Sequence, residues 1–164
     1  MCESFNEQYD CNYKCLMPTN TFGPNDNYDD NSSHFLPALI KKIQKLKVNN
    51  TNKLTLWGNG KAKREIIHVD DVADACVYFK KKKTKHTLIN IGTGIDFTIN
   101  YSKLISKLIL KKKIYIKYDR SKPNGVSRKV LNITLAKKYG WKSKINLKSS
   151  IMMTYKSYIR EINI

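Results

Sequence analysis

Apolar residues recur in this chain in two rhythms, and the rhythms alternate. Helical spacing places Phe5 and Tyr9 one turn apart within residues 1–10. It sets Leu36, Leu39, Ile40, Ile43 and Leu46 on one face of a helix from about 34 to 48. The same spacing lines up Val72, Cys76 and Phe79, then Tyr101, Leu104, Ile105 and Leu108, and finally Ile151, Met152, Tyr155, Tyr158 and Ile159 on a helix over 147–162. Between them lie short apolar or alternating runs that read as strands: Tyr13 to Met17, Leu54 to Trp57, the run from Arg64 to Val69, Thr87 to Ile91 and Ile114 to Tyr118. Strands that take turns with helices define an α/β protein. Polar residues supply the punctuation. Asn31-Ser32-Ser33, Asp70 with Asp71, Thr98 and Asn132 are the expected helix caps, and Pro37 suits a first helical turn. Gly140 closes a short helix. Residues 18–27 are too rich in Pro, Gly and Asn for regular structure, and so long a loop after a strand is expected to be functional.

Composition narrows the reading. The 164 residues suffice for one domain with a core, and no apolar run approaches a membrane span. The first residues have no basic stretch followed by an apolar core, so no signal peptide is expected. Cys2, Cys11, Cys15 and Cys76 form no C-x-x-C pair and read as reduced thiols, with no metal set. Together these predict a cytoplasmic protein. The net charge of +18 comes almost wholly from Lys, because Arg occurs only at 64, 120, 128 and 160. The lysine runs fall at expected helix ends and turns without interleaved aromatics. A solvated surface therefore fits them better than a specific nucleic-acid platform. A basic binding module for acidic partners stays open as a reading of another class.

The candidate chemistry gathers at strand ends, where α/β proteins hold their ligands. Asn20, Trp57, Arg64, Gly92 to Gly94, and Arg128-Lys129 all fall there. Arg64 and Lys129 suit phosphate oxygens, and Trp57 suits a planar ring. Leu16 to Asn20, Phe22 to Asn27, Asn31 to His34 with Leu36 to Leu39, Trp57 to Gly60, Arg64 to Ala75, Ile89 to Gly94, Ser121 to Gly125, Arg128-Lys129 and Gly140-Trp141 together resemble the extended short-chain dehydrogenase/reductases. The Asn-Ser-x-His-x-x-Pro-Ala-Leu and Ser-Lys-Pro-x-Gly stretches narrow the resemblance to members acting on GDP-sugars.

That resemblance implies a reaction in two parts. A GDP-4-keto-6-deoxy-mannose is epimerised at C3 and C5, and NADPH then reduces the C4 ketone. It implies His34 as the catalytic acid. It implies Pro18, Thr19, Asn20, Thr21 and His34 at the nicotinamide end of NADP. Lys42, Trp57, Arg64, Asn124 and Lys129 fall where the family holds the GDP-sugar. His68 and His86 read as structural and surface residues. Three positions depart from the family pattern: Lys42 stands where Arg is common, Asn124 where Asp is usual, and Thr21 where an apolar residue is usual. None of the four cysteines falls at the family's catalytic Cys.

The glycine-rich dinucleotide fingerprint does not occur, and the family's Tyr-x-x-x-Lys helix would lie just upstream of Met1. The chain thus reads as the C-terminal part of a Rossmann-like α/β enzyme. It would be one incomplete domain over 1–164, with the last Rossmann elements interleaved with the substrate-binding lobe and the N-terminal dinucleotide-binding part missing. Expectations follow of an exposed apolar face on the first helix and strand, of no activity in isolation, and of a separately encoded N-terminal half as a possible partner. The homodimer common in the family would form through that missing half. Another nucleotide-sugar epimerase or reductase of the same superfamily remains the alternative. Asn20, His34, Trp57, Arg64 and Lys129 are expected to converge.

Overall fold

The computed structural model describes residues 1–98, 101–122 and 124–163. In chain order the elements are α1 (Cys2–Tyr9), β1 (Cys15–Pro18), β2 (Asn20–Phe22), α2 (Phe35–Val48), β3 (Lys53–Trp57), β4 (Lys63–His68), α3 (Val69–Lys81), β5 (Leu88–Ile91), β6 (Asp96–Thr98), α4 (Ser102–Leu110), β7 (Tyr115–Asp119), β8 (Arg128–Lys129), α5 (Thr134–Lys138) and α6 (Leu147–Ile162). They fall into two compact units. Unit 1 is Met1–Thr21, Glu65–Ile95 and Val130–Ile145, and unit 2 is Phe22–Arg64, Asp96–Lys129 and Asn146–Ile164.

In unit 1, β1 and β5 pair in parallel from Cys15↔Leu88 to Pro18↔Ile91. Its core is Ile67, Ala75, Phe79, Ile89, Ile91, Ala136 and Trp141. Burying Phe79 and Trp141 contributes about 2–3 kcal/mol each. Trp141 also satisfies its one polar atom, donating Nε1–H to Asp74 at 2.9 Å. The buried stripe of α3 runs through Ala75 rather than Cys76, which is exposed. The N-cap of α3 is His68, whose Nδ1 accepts from the Asp70 amide at 3.3 Å, in place of the expected aspartates. Asp71 is instead buried and accepts from the Lys144 and Ile145 amides at 2.9 and 3.2 Å. It thereby pins the chain leaving the core tryptophan. Helix α1 buries no residue, and Phe5, Tyr9, Tyr13 and Met17 are between 46 and 59% exposed, the apolar face expected from the resemblance to a C-terminal part.

In unit 2, β3 and β7 pair in parallel from Lys53↔Tyr115 to Trp57↔Asp119. Strand alternation turns Leu54 and Leu56 inward and leaves Trp57 out. Helix α2 packs on β3 and α4, and α4 packs on α6. Leu36, Leu39, Ile40, Ile43, Ile105, Ile109 and Ile151 are buried. Asn31-Ser32-Ser33 does not cap α2. The Asp29 carboxylate draws in the Asn31 and Ser32 amides at 2.9 Å each, and the helix starts from His34 without a side-chain cap. That turn holds the Asp29 carboxyl below its ordinary range, through the hydrogen bonds from Asn31 and Ser32. Thr98 ends β6 instead of capping α4, and residues 99 and 100 lie outside the described residues. Asn146 caps α6 by accepting from the Lys148 amide at 2.9 Å. Tyr28 stacks on Tyr158 with centroids 4.2 Å apart, and burial pushes the Tyr28 phenol well above its ordinary value.

Candidate substrate- and cofactor-binding site

Two stretches of unit 2, residues 57–64 and 119–129, run alongside one another and carry four of the expected substrate residues. Trp57 ends β3 in register with Asp119. Its ring is 61% exposed, and Lys122 lies over it with Nζ 5.7 Å from the centroid. An open indole beside an ammonium is a stacking face with a phosphate-seeking charge at its edge. The Asn124 side chain accepts from the Asn59 amide at 2.8 Å, holding the turn after Trp57. A carboxylate could accept that bond equally well, so replacing the usual Asp keeps the tether and drops a charge.

Arg64 is fixed from one side. Its Nη1 donates to the carbonyls of Lys63 and Val126 at 2.8 and 2.6 Å. Gly125, at φ +65°, passes close beneath the guanidinium, and a Cβ there would sit 3.4 Å from Nη2. Pro123, the first residue of that expected turn, lies outside the described residues. Arg64 pairs with Lys129 across the parallel β4–β8 ladder. Alternation separates the two basic residues of β8. Arg128 binds the Asp96 carboxylate at 2.5 Å and lowers its pKa, while Lys129 is exposed and makes no ion pair among the described residues.

His34 and Lys42 belong to the same unit, on α2. His34 is exposed at the N-cap position, and its ring makes no cap bond. Lys42 is exposed too, whereas its neighbour Lys41 is taken up by Asp30 at 2.9 Å. Among the described residues neither is joined by a hydrogen bond or ion pair to Trp57, Arg64 or Lys129.

Pro18 to Thr21 are in unit 1, and their polar side chains face protein. Asn20 Nδ2 donates to the Glu65 carbonyl at 2.7 Å, and the Thr19 hydroxyl reaches the same oxygen at 3.4 Å. The Thr19 amide is bonded to the Ile91 carbonyl at 2.9 Å, and Thr21 Oγ1 to the Thr19 carbonyl at 3.1 Å. The most accessible part of the stretch is the exposed Pro18 ring at the strand end. A flat apolar face beside a few fixed polar groups suits the nicotinamide ring of NADP in kind.

Sequence reasoning missed Glu65. Its side chain is fully buried, yet it accepts from the Gly94 amide at 2.6 Å, the Leu131 amide at 2.7 Å and the Thr93 hydroxyl at 3.3 Å. Its carbonyl holds Asn20. One residue thus ties the Pro18–Thr21 stretch to the Gly92-Thr93-Gly94 loop, and a Cβ on Gly92 would collide with its carboxyl group. A signal was present, because Glu65 shares a strand face with Ile67, a core residue.

Two Tyr-x-x-x-Lys spacings occur within the chain, Tyr78 with Lys82 and Tyr118 with Lys122. The Tyr78 hydroxyl is committed to the Tyr139 carbonyl at 2.7 Å. Tyr118 packs its ring on Gly60, and burial raises its pKa. A lysine that activates a tyrosine lowers that pKa, so the Tyr118 pair lacks the character of a proton-transfer dyad, and the Tyr78 hydroxyl is already donated to a carbonyl.

Among the described residues no group of three or more His, Cys, Asp and Glu could hold a metal, and no helix is long and apolar enough to cross a membrane. Residues 1–92 match the NAD dependent epimerase/dehydratase family. GDP-L-colitose synthase of Yersinia pseudotuberculosis is 38% identical over 99% of this chain and 54% of its own length. GDP-L-fucose synthase of Escherichia coli K12 is 36% identical over 97% and 52%. A GDP-mannoheptose C4 reductase from Campylobacter jejuni, solved with NADP bound, superposes with a TM-score of 0.78 at 34% identity, covering 97% of this chain and 53% of that one. The chain spans about half the length of the curated relatives it matches. With a Rossmann-like α/β fold and more than half of its residues inside the family match, the chain belongs to the NAD dependent epimerase/dehydratase family.

Proposed function

We propose that this chain carries the sugar-nucleotide side of a GDP-L-fucose synthase, which uses NADPH to convert GDP-4-keto-6-deoxy-mannose to GDP-L-fucose in the cytoplasm. The observation that supports it best is the register pairing of Arg64 with Lys129 on the same two stretches whose other end carries the exposed Trp57 ring. Two cations suit a diphosphate, and an open indole suits a purine base. Lys42 adds a third cation without the fixed fork of an arginine. Asn124 holds the turn that follows Trp57.

In this reading His34 acts on the sugar. Hydrogens at C3 and C5 flank the C4 ketone and are acidic enough to be removed by a base. An imidazolium on the opposite face then gives its own proton to the carbon and inverts it, while the base keeps the proton it took. The exposed His34 ring, unused by its own helix, is free for that transfer. Pro18, Thr19, Asn20 and Thr21, with His34, serve the nicotinamide end of NADP, which supplies the hydride for C4 when bound. The 164-residue chain in isolation binds the nucleotide without turnover and works with a polypeptide that brings the glycine-rich cradle.

Calorimetric titration with GDP and UDP tests the reading. Saturable GDP binding with UDP at least about tenfold weaker is expected, because a site that hydrogen-bonds one base leaves groups unpaired with another. UDP preference would move the chain to another nucleotide-sugar enzyme, and binding of neither would overturn the proposal.

A further inference from the structure

A second basic feature of unit 2 is not used by the reading above. Lys103, Lys107, Lys111, Lys112 and Lys113 line a hollow of about 630 Å³ whose floor is Ile114, Tyr115, Ile116 and Tyr118. We propose that this hollow binds a small anion carrying several phosphates, at a site separate from Trp57, Arg64 and Lys129.

The charge is uncompensated. No Asp or Glu lines the hollow, and none of the five lysines makes an ion pair among the described residues. A sphere of that volume is about 11 Å across, close to the screening length of roughly 10 Å at 0.1 M salt, so the five ammonium groups repel one another. Helix chemistry accounts for only part of the set. Lys107 and Lys111 sit at the C-terminal end of α4, where a cation offsets the helix dipole. Lys103 sits in the first turn, which has no acidic residue and where a cation is unfavourable. Lys112 and Lys113 lie beyond the helix; the Lys112 ammonium donates to Asn50 at 3.0 Å, which fixes its position without neutralising it.

The shape selects the class of ligand. The hollow is concave, of small-molecule size, and floored by an apolar and aromatic surface. It is not a stripe along which a nucleic-acid backbone could track. Its place separates it from the Trp57 set. Lys111 to Tyr115 lie at the Lys53 end of the β3–β7 ladder and Trp57 at the other, four residues or about 13 Å along the strand; of the floor only Tyr118, paired with Leu56, comes near the Trp57 end.

The test uses the intact chain and inorganic tripolyphosphate as probe, titrated by calorimetry at 50 and 200 mM salt. One saturable site is expected, weaker at the higher salt. Lys103→Ala/Lys107→Ala/Lys113→Ala should weaken it at least about tenfold, since three charge contacts are lost together. Arginine at the same three positions should keep binding within about threefold. Lys80→Ala/Lys81→Ala/Lys83→Ala removes the same charge elsewhere and should change affinity less than about twofold. The absence of saturable binding would overturn the proposal. So would equal weakening by both alanine sets, or loss of binding in Arg64→Ala/Lys129→Ala with the lysine-hollow variant unaffected. The first two results leave GDP binding at Trp57, read separately, untouched, and the third would place the probe at the Arg64–Lys129 pair instead.

Discussion

Replacing Glu65 tests whether one buried carboxyl group organises the loops of unit 1. Glu65→Ala leaves the Gly94 and Leu131 amides without their acceptor, while the Thr93 hydroxyl keeps the Ile95 carbonyl at 3.3 Å. A buried donor left unsatisfied costs roughly 1–3 kcal/mol, but Gly94 is exposed and Leu131 half-buried, so water recovers part of each bond and the loss should be about 1–3 kcal/mol in all. Glu65→Gln keeps the volume but not the pattern. Gly94 bonds to Oε1 and Leu131 to Oε2, so either orientation of the amide turns its NH2 toward an N–H. That should cost about 2–3 kcal/mol. Gly92→Ala drives a methyl into the same carboxyl group, and the clash disappears once Glu65 is alanine. Urea unfolding followed by circular dichroism of the four proteins in the cycle should therefore give a coupling of about 1–3 kcal/mol between positions 65 and 92. A Glu65→Gln protein within about 0.5 kcal/mol of the parent, or a Gly92→Ala cost independent of residue 65, would refute the reasoning.

Further outcomes are expected. Trp57→Ala should reduce GDP affinity about tenfold, from roughly 1.4 kcal/mol of lost ring contact, with no change in melting temperature because the side chain is mostly exposed. Gly125→Ala should destabilise the chain by about 1 kcal/mol, since the native φ there is positive, and should weaken GDP binding by disturbing Arg64. The Asp74 carboxyl is held below its ordinary value, first by the hydrogen bond from Lys144 and then by that from Trp141. A depressed folded pKa stabilises above the unfolded value near about 3.9 and is lost as pH falls through the folded one. Asp74→Asn should thus lower the thermal midpoint at neutral pH, and the gap should narrow as the pH is taken below the ordinary carboxylate range. The isolated chain should show no NADPH oxidation with GDP-4-keto-6-deoxy-mannose, and steady-state turnover would contradict that.

Much of this was legible because periodicity reports burial. The helix over 147–162 and the strand ending at Trp57 were readable from their apolar spacing alone. Short elements with two or three residues, β2, β6 and β8, carry too few side chains to show a period. The expected N-caps had mixed outcomes. Asn132 accepts from the Thr134 amide at the start of α5 at 3.0 Å, but the Asp70-Asp71 pair does not cap α3, because which amide a carboxylate accepts from can depend on where distant chain returns. Asp71 binds the amides of residues 144 and 145, more than seventy positions away. The Arg128-Lys129 pair looked like one basic feature until strand alternation sent one residue to Asp96. Glu65 was hidden inside a motif read for its arginine.

In the proposed function Trp57, Arg64, Asn124 and Lys129 together meet a GDP-sugar. Amide and indole NMR spectra of the labelled chain, recorded during a GDP titration, test it most directly. The Trp57 indole and the amides of residues 57–64 and 124–129 should move together with one dissociation constant. Shifts confined to residues 103–118, or no shifts at all, would contradict it.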